Sequence, residues 1–448
     1  MKQILVLGAG LSAPYMISYL LKEAEQYDWF VTVGDLNPQL AKKCVGGHPR
    51  GDGVMFDVND AVMRRTHVEK ADIVINFLPP KFQYLLALSC ATYGCHMITA
   101  SYQDDRLKDV EPDAIRKGIL ILNEMGLDPG IDHMSAMSMI QRIREKQGKI
   151  VSFKSYGSGL PAPESATNPL RYVITWNARN VVMAGEYGSQ YMFKNNIKIQ
   201  PYHEVFQRTW SVELNGIGTM EAYPNRDSLK YIDLYGLDDV ETMIRGTLRY
   251  PGWSETWLQI VRLGLSNETM HIPNLQQRTY RELLEMFLPL HHPGADLEHR
   301  VANLLHISPT GKIMENLRWL GLFADETITA AGDTAADVII DLLRKRLVLP
   351  ESGRDMVAIV HELEAVYPDE PKRREKTTST FIEYGDPGGF TAIAKTVGLP
   401  AAIAAKLVLL GEIPLNGCHI PTHPVVYSKT LPELQKQGFK FIEETAFI

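Results

Sequence analysis

The chain has 448 residues, more than one hydrophobic core usually serves, so we expect two or more domains. Hydrophobic residues make up 45% of the chain and charged residues 22%, which is ordinary for a soluble globular protein. The formal net charge of -7 comes without a large basic block, so we expect no nucleic-acid partner.

The sequence shows no recognisable secretory signal and few cysteines, and both features predict a cytoplasmic protein. The N-terminal segment has one lysine before an apolar strand and does not resemble a secretory signal, and no run of 18 apolar residues predicts a membrane span. The cysteines are too few and too scattered for a disulfide framework; they are Cys44, Cys90, Cys95 and Cys418. We therefore expect neither a membrane partner nor an oxidising compartment.

The first part of the sequence alternates apolar strands with segments of helical period. The predicted strands are ILVLG, FVTVGD, DIVINFLPP, CHMITAS and GILILNEMG. Apolar strands without alternation are typical of a parallel sheet that is covered by helices on both faces. We predict one doubly wound α/β domain over residues 1–126.

The pattern changes after Gly148. KIVSFKSYGSGL and VELNGIGTMEAYP predict strands of a mixed sheet, and ETWLQIVRLGL and YRELLEMFLPL predict helices. These segments predict an inserted α+β domain over residues 127–390. GGFTAIAKTVGLPAAIAAKLVLLGEI is apolar around most of a helix, which indicates burial between two bodies. We predict that residues 391–448 return to the first domain.

A glycine turn follows the first strand and precedes a helix, which is the context of a Rossmann dinucleotide-binding fingerprint. Gly8 allows a tight turn, Gly10 lets the backbone approach a pyrophosphate, and Ala13 supplies the small third residue. The amides around Leu11 and Ser12, together with the helix dipole, are predicted to hold the diphosphate.

Asp35 ends the second strand, near the expected distance from the glycine turn for a carboxylate that binds the adenosine ribose. A carboxylate there would repel the additional phosphate of NADP. Lys42 and Lys43 lie further along and are interpreted as solvated helix residues. The sequence therefore favours NAD over NADP.

Three stretches beyond the first domain resemble saccharopine dehydrogenase of the L-glutamate-forming type, also called saccharopine reductase. They are NEMGLDPGIDH, SYGSGLPAPESATNPLRYVITW, and AYPNRDS with RGTLRYPG. The resemblance implies a Rossmann domain with an inserted catalytic domain. It also implies a reaction: saccharopine and water are interconverted with glutamate and 2-aminoadipate 6-semialdehyde, through an imine that exchanges hydride with a nicotinamide ring.

Saccharopine carries three carboxylates, and the guanidinium group is the best fixed partner for a carboxylate. Arg226 and Arg249 sit in polar, loop-like sequence settings and match family positions that hold the substrate. The resemblance adds Ser101, Thr247 and Leu248 to the predicted substrate-binding residues.

The resemblance also assigns cofactor contacts. Thr99 and Ala100 are expected to meet the cofactor, Trp176 to close over it, and Leu127, Asp128 and Pro129 to line the nicotinamide and substrate pocket. Imine chemistry moves protons on nitrogen and oxygen, and Asp128 and Tyr102 are the predicted acid-base residues. No metal is expected, because His419, His423 and Cys418 match no complete ligand set.

Two departures from the family pattern limit what the resemblance implies. Family members often carry cysteine in SYCGG, where this chain has SYGSG at residues 155–159, so no role for a thiol carries over. The NADP-using fungal members have an arginine-containing segment in place of Gly34-Asp35-Leu36, which again favours NAD.

Two alternatives stay open at this point. One is a dehydrogenase of the carboxynorspermidine or carboxyspermidine type, and the other is a nucleotide-binding protein without turnover. A homodimer is expected, because the apolar aromatic segment around Trp253 and Trp257 offers a contact surface.

Overall fold

The computed structural model describes residues Met1–Ile448, except for the side chains of residues 371 and 372. The chain forms two compact units. The first comprises Met1–Lys149 and Phe381–Ile442, and the second comprises Ile150–Thr380 and Glu443–Ile448. The second unit is therefore largely one insertion into the first.

The regular elements are numbered in chain order. The helices are α1 Pro14–Tyr27, α2 Pro38–Val45, α3 Ala61–Val68, α4 Gln83–Tyr93, α5 Glu111–Lys117, α6 Ile131–Glu145, α7 Ala178–Met183, α8 Lys230–Tyr235, α9 Trp253–Arg262, α10 Tyr280–Met286, α11 Leu297–Leu305, α12 Lys312–Leu320, α13 Ala335–Arg346, α14 Ala392–Leu409 and α15 Pro424–Lys436. The strands are β1 Lys2–Leu7, β2 Trp29–Asp35, β3 Gly51–Met55, β4 Ile73–Asn76, β5 His96–Thr99, β6 Leu120–Leu122, β7 Lys149–Pro161, β8 Ser189–Phe193, β9 Asn196–Gln200, β10 Trp210–Leu214, β11 Gly218–Pro224, β12 Thr242–Arg249, β13 Asp355–Tyr367, β14 Glu370–Tyr384, β15 Gly417–His419 and β16 Phe441–Phe447.

The first unit contains a parallel sheet with the strand order β3-β2-β1-β4-β5-β6-β15. From β3 to β6 this is the order of a Rossmann fold, and β15 extends the sheet at one edge. Strands β4 and β6 are buried along their whole length, which explains their continuous apolar sequences. The predicted fold class is confirmed.

The boundaries of the units differ from the predicted ones at residues 126 and 390. Helix α6 packs against α15, so the first unit extends to Lys149 instead of ending at Gly126. This boundary coincides with the change of sequence pattern after Gly148. On the return, the first unit resumes at Phe381, before the start of α14.

Helix α14 is the buried helix predicted near the end of the chain. Among the described residues it is the one helix with the length and apolarity of a membrane span, but 78% of it is buried inside the protein. It packs against α1 and α15, and its lysines are ion-paired: Lys395 Nζ lies 2.7 Å from Asp386 Oδ1, and Lys406 Nζ lies 2.8 Å from Glu23 Oε2. Such pairing in a protein core identifies α14 as a core helix of the first unit.

The second unit is built around a mixed sheet with the strand order β10-β11-β12-β7-β13-β14-β16. Strand β12 pairs in parallel with β7 and antiparallel with β11, and β8 and β9 extend the sheet beside β12.

Helix α9 follows β12 after a short turn. Its Trp253 and Trp257 are 2% and 0% exposed and stack with ring centroids 4.8 Å apart. They form core, so they cannot supply the dimer contact expected from the sequence, and the homodimer stays a prediction without that surface.

The contact between α1 and α14 depends on Gly398. A Cβ at this position would lie 2.9 Å from both Met16 Cβ and the Ser12 carbonyl oxygen. Gly398→Val gains helix propensity of less than about 1 kcal/mol but forces the helices apart, and overpacking costs about 1–3 kcal/mol. We expect a net loss of stability, measured as a lower denaturation midpoint in urea at unchanged m-value. Val397→Ile, at a half-buried neighbouring position, is the control and should shift the midpoint little. A midpoint for Gly398→Val at or above that of the wild type would contradict this packing.

Candidate active site

The β1–α1 turn has the backbone features expected of its glycine fingerprint. Gly8 has φ 102°, and a Cβ there would lie 2.8 Å from the Phe77 carbonyl oxygen. At Gly10, in contrast, a Cβ would meet no protein atom within 4 Å, so the backbone borders open space. Ala13 is buried, which suits the small third residue of the fingerprint.

Helix α1 begins at Pro14, as its place in a first turn predicts. In the described chain no side chain caps this helix, because Ala13 occupies the N-cap position. The amides of the turn, including Leu11 and Ser12, therefore precede an uncapped helix N-terminus. Together with the open face of Gly10, this arrangement fits the diphosphate of a dinucleotide.

Asp35 lies at the carboxyl end of β2, half-buried beside the glycine turn. Its Oδ2 accepts a hydrogen bond from Ala9 N at 2.8 Å, and its Oδ1 accepts one from Asn37 N at 2.8 Å. Each carboxylate oxygen has a second lone pair, so both remain able to accept a hydroxyl. Asp35 thus fixes the glycine turn in addition to its predicted ribose contact.

The predicted acid-base residues lie on two loops of the first unit. Tyr102 follows β5, after Thr99, Ala100 and Ser101, and Asp128 lies in the loop between β6 and α6. The Tyr102 hydroxyl donates to Asp128 Oδ1 at 3.2 Å, and both side chains are exposed. The structure therefore brings together two residues that are 26 positions apart in the sequence.

The loop that carries Leu127, Asp128 and Pro129 is held by its own backbone. Gly126 N donates to the Pro129 carbonyl at 3.0 Å, and Asp132 N donates to the Leu127 carbonyl at 3.0 Å. Gly130 has φ 147°, and a Cβ there would overlap the Gly126 carbonyl. Only glycine fits this turn, so the loop presents Asp128 from a constrained backbone.

Arg249 is the most informative of the predicted substrate residues. Ser101 and Asp128 lie in the first unit, and the others lie in the second unit. The sequence suggested a loop, but Arg249 is the last residue of β12, in register with Glu221 of β11, and is only 3% exposed. Its Nη1 donates to Ser158 Oγ at 2.6 Å and to the Leu248 carbonyl at 2.8 Å. No carboxylate pairs with it among the described residues, and its Nε has no hydrogen-bond partner there.

Aromatic rings surround the Arg249 guanidinium. It lies 4.6 Å from the ring centroid of Tyr172, 5.6 Å from that of Tyr223 and 5.4 Å from that of Trp253. Burial raises the pKa of the Tyr223 phenol, and the Arg249 charge opposes that shift. The rings stabilise the cation but do not neutralise it, which leaves a buried positive charge for an anionic group.

The remaining predicted residues of the second unit have less distinctive settings. Arg226 is exposed, has φ 48° in a loop as expected, and lies over the Tyr187 ring at 5.3 Å. Trp176 is half-buried, and its Nε1 donates to the Tyr172 hydroxyl at 3.3 Å. Leu248 is buried next to Arg249, and Thr247 is half-buried on the same strand. The roles of these residues stay predictions.

The sequence analysis missed a buried pair near the predicted acid-base residues. His133 Nε2 lies 2.9 Å from Glu124 Oε2, and the two side chains are 0% and 9% exposed. The two residues are nine positions apart, one in a loop and the other in the first turn of α6, and this spacing forms no recognisable sequence motif. Glu124 at φ 61° is nevertheless unusual for a residue other than glycine.

Known protein families match both parts of the chain. Residues 126–439 match the family model "Saccharopine dehydrogenase C-terminal domain", and residues 4–122 match "Saccharopine dehydrogenase NADP binding domain". The chain belongs to the saccharopine dehydrogenase family. The family's first domain binds a nicotinamide dinucleotide, and the chain is an oxidoreductase of this family.

The similarity to members of the saccharopine dehydrogenase family extends over the whole chain. "Saccharopine dehydrogenase [NADP(+), L-glutamate-forming]" of Schizosaccharomyces pombe is 30% identical, with 99% of each chain covered. The solved apo saccharopine dehydrogenase (L-Glu forming) of Saccharomyces cerevisiae has a TM-score of 0.90 at 31% identity and is covered completely. "Alpha-aminoadipic semialdehyde synthase" of Arabidopsis thaliana is 33% identical over 98% of this chain, which spans only 44% of that longer protein.

Candidate metal ligands do not gather in the structure. Within the described residues no group of three or more His, Cys, Asp or Glu side chains could hold a metal ion. His419 and His423 contact each other edge to face, and the His423 side chain caps α15. A packing role thus accounts for the histidines of GCHIPTHP.

The contrast between Gly8 and Gly10 tests the cofactor turn. Gly10→Ala adds a methyl group to open space, so we expect unchanged stability of the free protein and at least about tenfold weaker binding of reduced dinucleotide. Gly8→Ala is the matched control: its positive φ and the nearby Phe77 carbonyl make the substitution destabilising to the free protein. Thermal denaturation and cofactor fluorescence titration measure both quantities. Wild-type affinity in Gly10→Ala would rule out this diphosphate site.

Proposed function

We propose that the protein is an L-glutamate-forming saccharopine dehydrogenase, which interconverts saccharopine and water with L-glutamate and 2-aminoadipate 6-semialdehyde. Support comes from full-length relatives that are named for this activity. The single structural observation that favours it is the buried Arg249 without a carboxylate partner among the described residues. A substrate with three carboxylates offers the counterion that this guanidinium lacks.

The chemistry of Arg249 favours a carboxylate over other ligands. Ser158 and the Leu248 carbonyl both contact Nη1, so the guanidinium keeps donors that have no protein partner among the described residues, and a carboxylate is the acceptor that best matches a guanidinium. Arg226, on its exposed loop, would supply a second cation. A polyamine substrate would meet repulsion from these positive charges, which argues against a dehydrogenase of the carboxyspermidine type.

Of the two predicted acid-base residues, Asp128 is proposed to move the protons of imine hydrolysis and Tyr102 to orient it. When the dinucleotide is bound, it supplies hydride exchange with the carbon–nitrogen bond. Asp128 would accept a proton first from the water that adds to the imine carbon and then from the resulting carbinolamine hydroxyl, and would pass each proton to the nitrogen. The carbon–nitrogen bond then breaks, so that L-glutamate leaves and the aldehyde forms. The Tyr102 hydroxyl orients the Asp128 carboxylate through its hydrogen bond. A nucleotide-binding protein without turnover would not need this pair.

We further propose that NAD is preferred over NADP. The support is the Asp35 carboxylate at the end of β2, where it would repel a 2′-phosphate. The relatives above carry NADP(+) in their names, so cofactor choice is the point at which this chain is proposed to differ from them.

The reaction is tested by initial rates with saccharopine as the substrate and chromatographic identification of the amino acid released. We expect glutamate release by the wild type. Arg249→Met removes a charged hydrogen-bonding group worth about 1.5–3 kcal/mol, so KM for saccharopine should rise about 10- to 100-fold. Arg171→Met is the matched control, because Arg171 also lies over a tyrosine ring, that of Tyr250, but is exposed. It should keep the wild-type KM.

The outcomes separate the alternatives. Turnover of a carboxyspermidine but not saccharopine would favour the polyamine enzyme, and reduced cofactor bound without any turnover would favour a binding protein. Glutamate release with equal KM for Arg249→Met and Arg171→Met would preserve the reaction but remove Arg249 from the substrate site.

Cofactor choice is tested by kcat/KM with NAD and with NADP. We expect the wild type to favour NAD at least about tenfold, because like charges near the ribose cost on the order of 1–2 kcal/mol. Asp35→Asn should reduce this ratio about tenfold. Asp52→Asn on β3 is the control, because Asp52 pairs with Thr32, nearer the amino end of β2, and its removal should leave the ratio unchanged. A wild-type preference for NADP would overturn the NAD proposal and leave the reaction intact.

A further inference from the structure

The buried Glu124–His133 pair is connected to both predicted acid-base residues through the backbone. On one side, Glu124 N donates to the Ser101 carbonyl at 3.1 Å, and Glu124 Oε1 accepts from Gln103 N at 3.0 Å. These two bonds flank Tyr102 in the chain. Glu124 therefore fixes the residue before and the residue after Tyr102.

On the other side, His133 lies in the first turn of α6, which holds the Asp128 loop. The neighbouring Asp132 donates its amide to the Leu127 carbonyl at 3.0 Å and accepts from Gly130 N on Oδ1 at 2.7 Å. His133 Nε2 lies 2.9 Å from Glu124 Oε2. The pair thus joins the segment that carries Tyr102 to the helix turn that supports Asp128.

The backbone of Glu124 indicates that its side chain matters. Glycine would adopt φ 61° without steric cost, whereas a residue with a Cβ is strained there. The carboxylate at this position accepts a hydrogen bond from Gln103 N on Oε1, and its Oε2 lies 2.9 Å from His133 Nε2, so it contacts both segments at once. Strained non-glycine residues of this kind cluster at functional sites.

We propose that Glu124 and His133 are positioning residues that hold Tyr102 and Asp128 in their hydrogen-bonded arrangement. This inference rests on the proposed function, in which that hydrogen bond orients the carboxylate for proton transfer. Neither residue needs to touch substrate. They act by fixing the two segments that present the reacting groups, and a displacement of about 1 Å at such groups can cost about 100-fold in rate.

The test is a double-mutant cycle with His133→Phe and Tyr102→Phe in the full-length enzyme. His133→Phe keeps an aromatic ring but removes the ring nitrogens, and we expect kcat to fall about 10- to 100-fold while KM for saccharopine and the Kd of reduced cofactor change less than about threefold. Once Tyr102→Phe has removed the hydroxyl, adding His133→Phe should lower kcat by less than about a further twofold. An equal fold-loss of kcat in the wild type and in Tyr102→Phe would identify a merely structural pair and overturn the proposal.

A second readout does not depend on activity. In a crystal structure of His133→Phe the Tyr102 Oη to Asp128 Oδ1 distance should exceed 3.5 Å, beyond hydrogen-bond range. A retained hydrogen bond would overturn the positioning role even if the wild type releases no glutamate. If the wild type releases no glutamate and the distance nevertheless lengthens, the proposed function fails and the positioning geometry stands.

Two further variants keep the test decisive. Glu124→Gln preserves volume but cannot accept on both side-chain atoms, so it should show the same non-additivity with Tyr102→Phe if His133→Phe fails to fold. Glu23→Gln breaks a different contact of the first unit, the ion pair of Glu23 with Lys406, and is the matched control. It should lower thermal stability without lowering kcat. A fall in kcat for Glu23→Gln equal to that for Glu124→Gln would also overturn the proposal.

Discussion

The close approach of two backbones at Gly8 is the constraint on which the first unit depends. Gly8 N donates to the Gly34 carbonyl on β2, and Phe77 N, just beyond β4, donates to the Leu7 carbonyl. A Cβ at Gly8 would collide with the Phe77 carbonyl, so the chain can leave β1 only through a glycine with positive φ. That exit directs the chain into α1 at the point where the strand order reverses, which is where doubly wound sheets bind ligands.

The elements that depend on local pattern could be predicted from the sequence. Strands β1, β2, β4, β5 and β6 are apolar runs, and the β1–α1 turn has its fingerprint within a few residues. Strand β3 could not be predicted from its sequence, because GDGVM contains two glycines and an aspartate and forms a strand only by pairing with β2. Strand β15 has three residues and exists because Gly417–His419 pair with β6. Both depend on neighbours that the local sequence does not reveal.

The contacts of the candidate site can likewise be divided into those that the sequence predicts and those that it does not. The contacts of Gly8, Gly10 and Asp35 follow from spacing along one strand–helix–strand unit. The burial of Arg249 does not, because Tyr172 and Tyr223, which contact it, come from distant segments, and a sequence of polar and turn-forming residues around it suggested exposure. The Glu124–His133 pair was invisible for the same reason: its partners meet only once the loop at Gly126–Gly130 has turned.

Arg249 also shows what such a site costs the free protein. Taking a guanidinium out of water costs roughly several kcal/mol after relaxation, and two neutral hydrogen bonds and three aromatic faces offset only part of that. A paired carboxylate from the protein would remove the penalty but would also occupy the position that we propose for a substrate carboxylate. Under that proposal, the substrate carboxylate would gain a desolvated and already oriented partner, so that binding would need little further reorganisation of the protein.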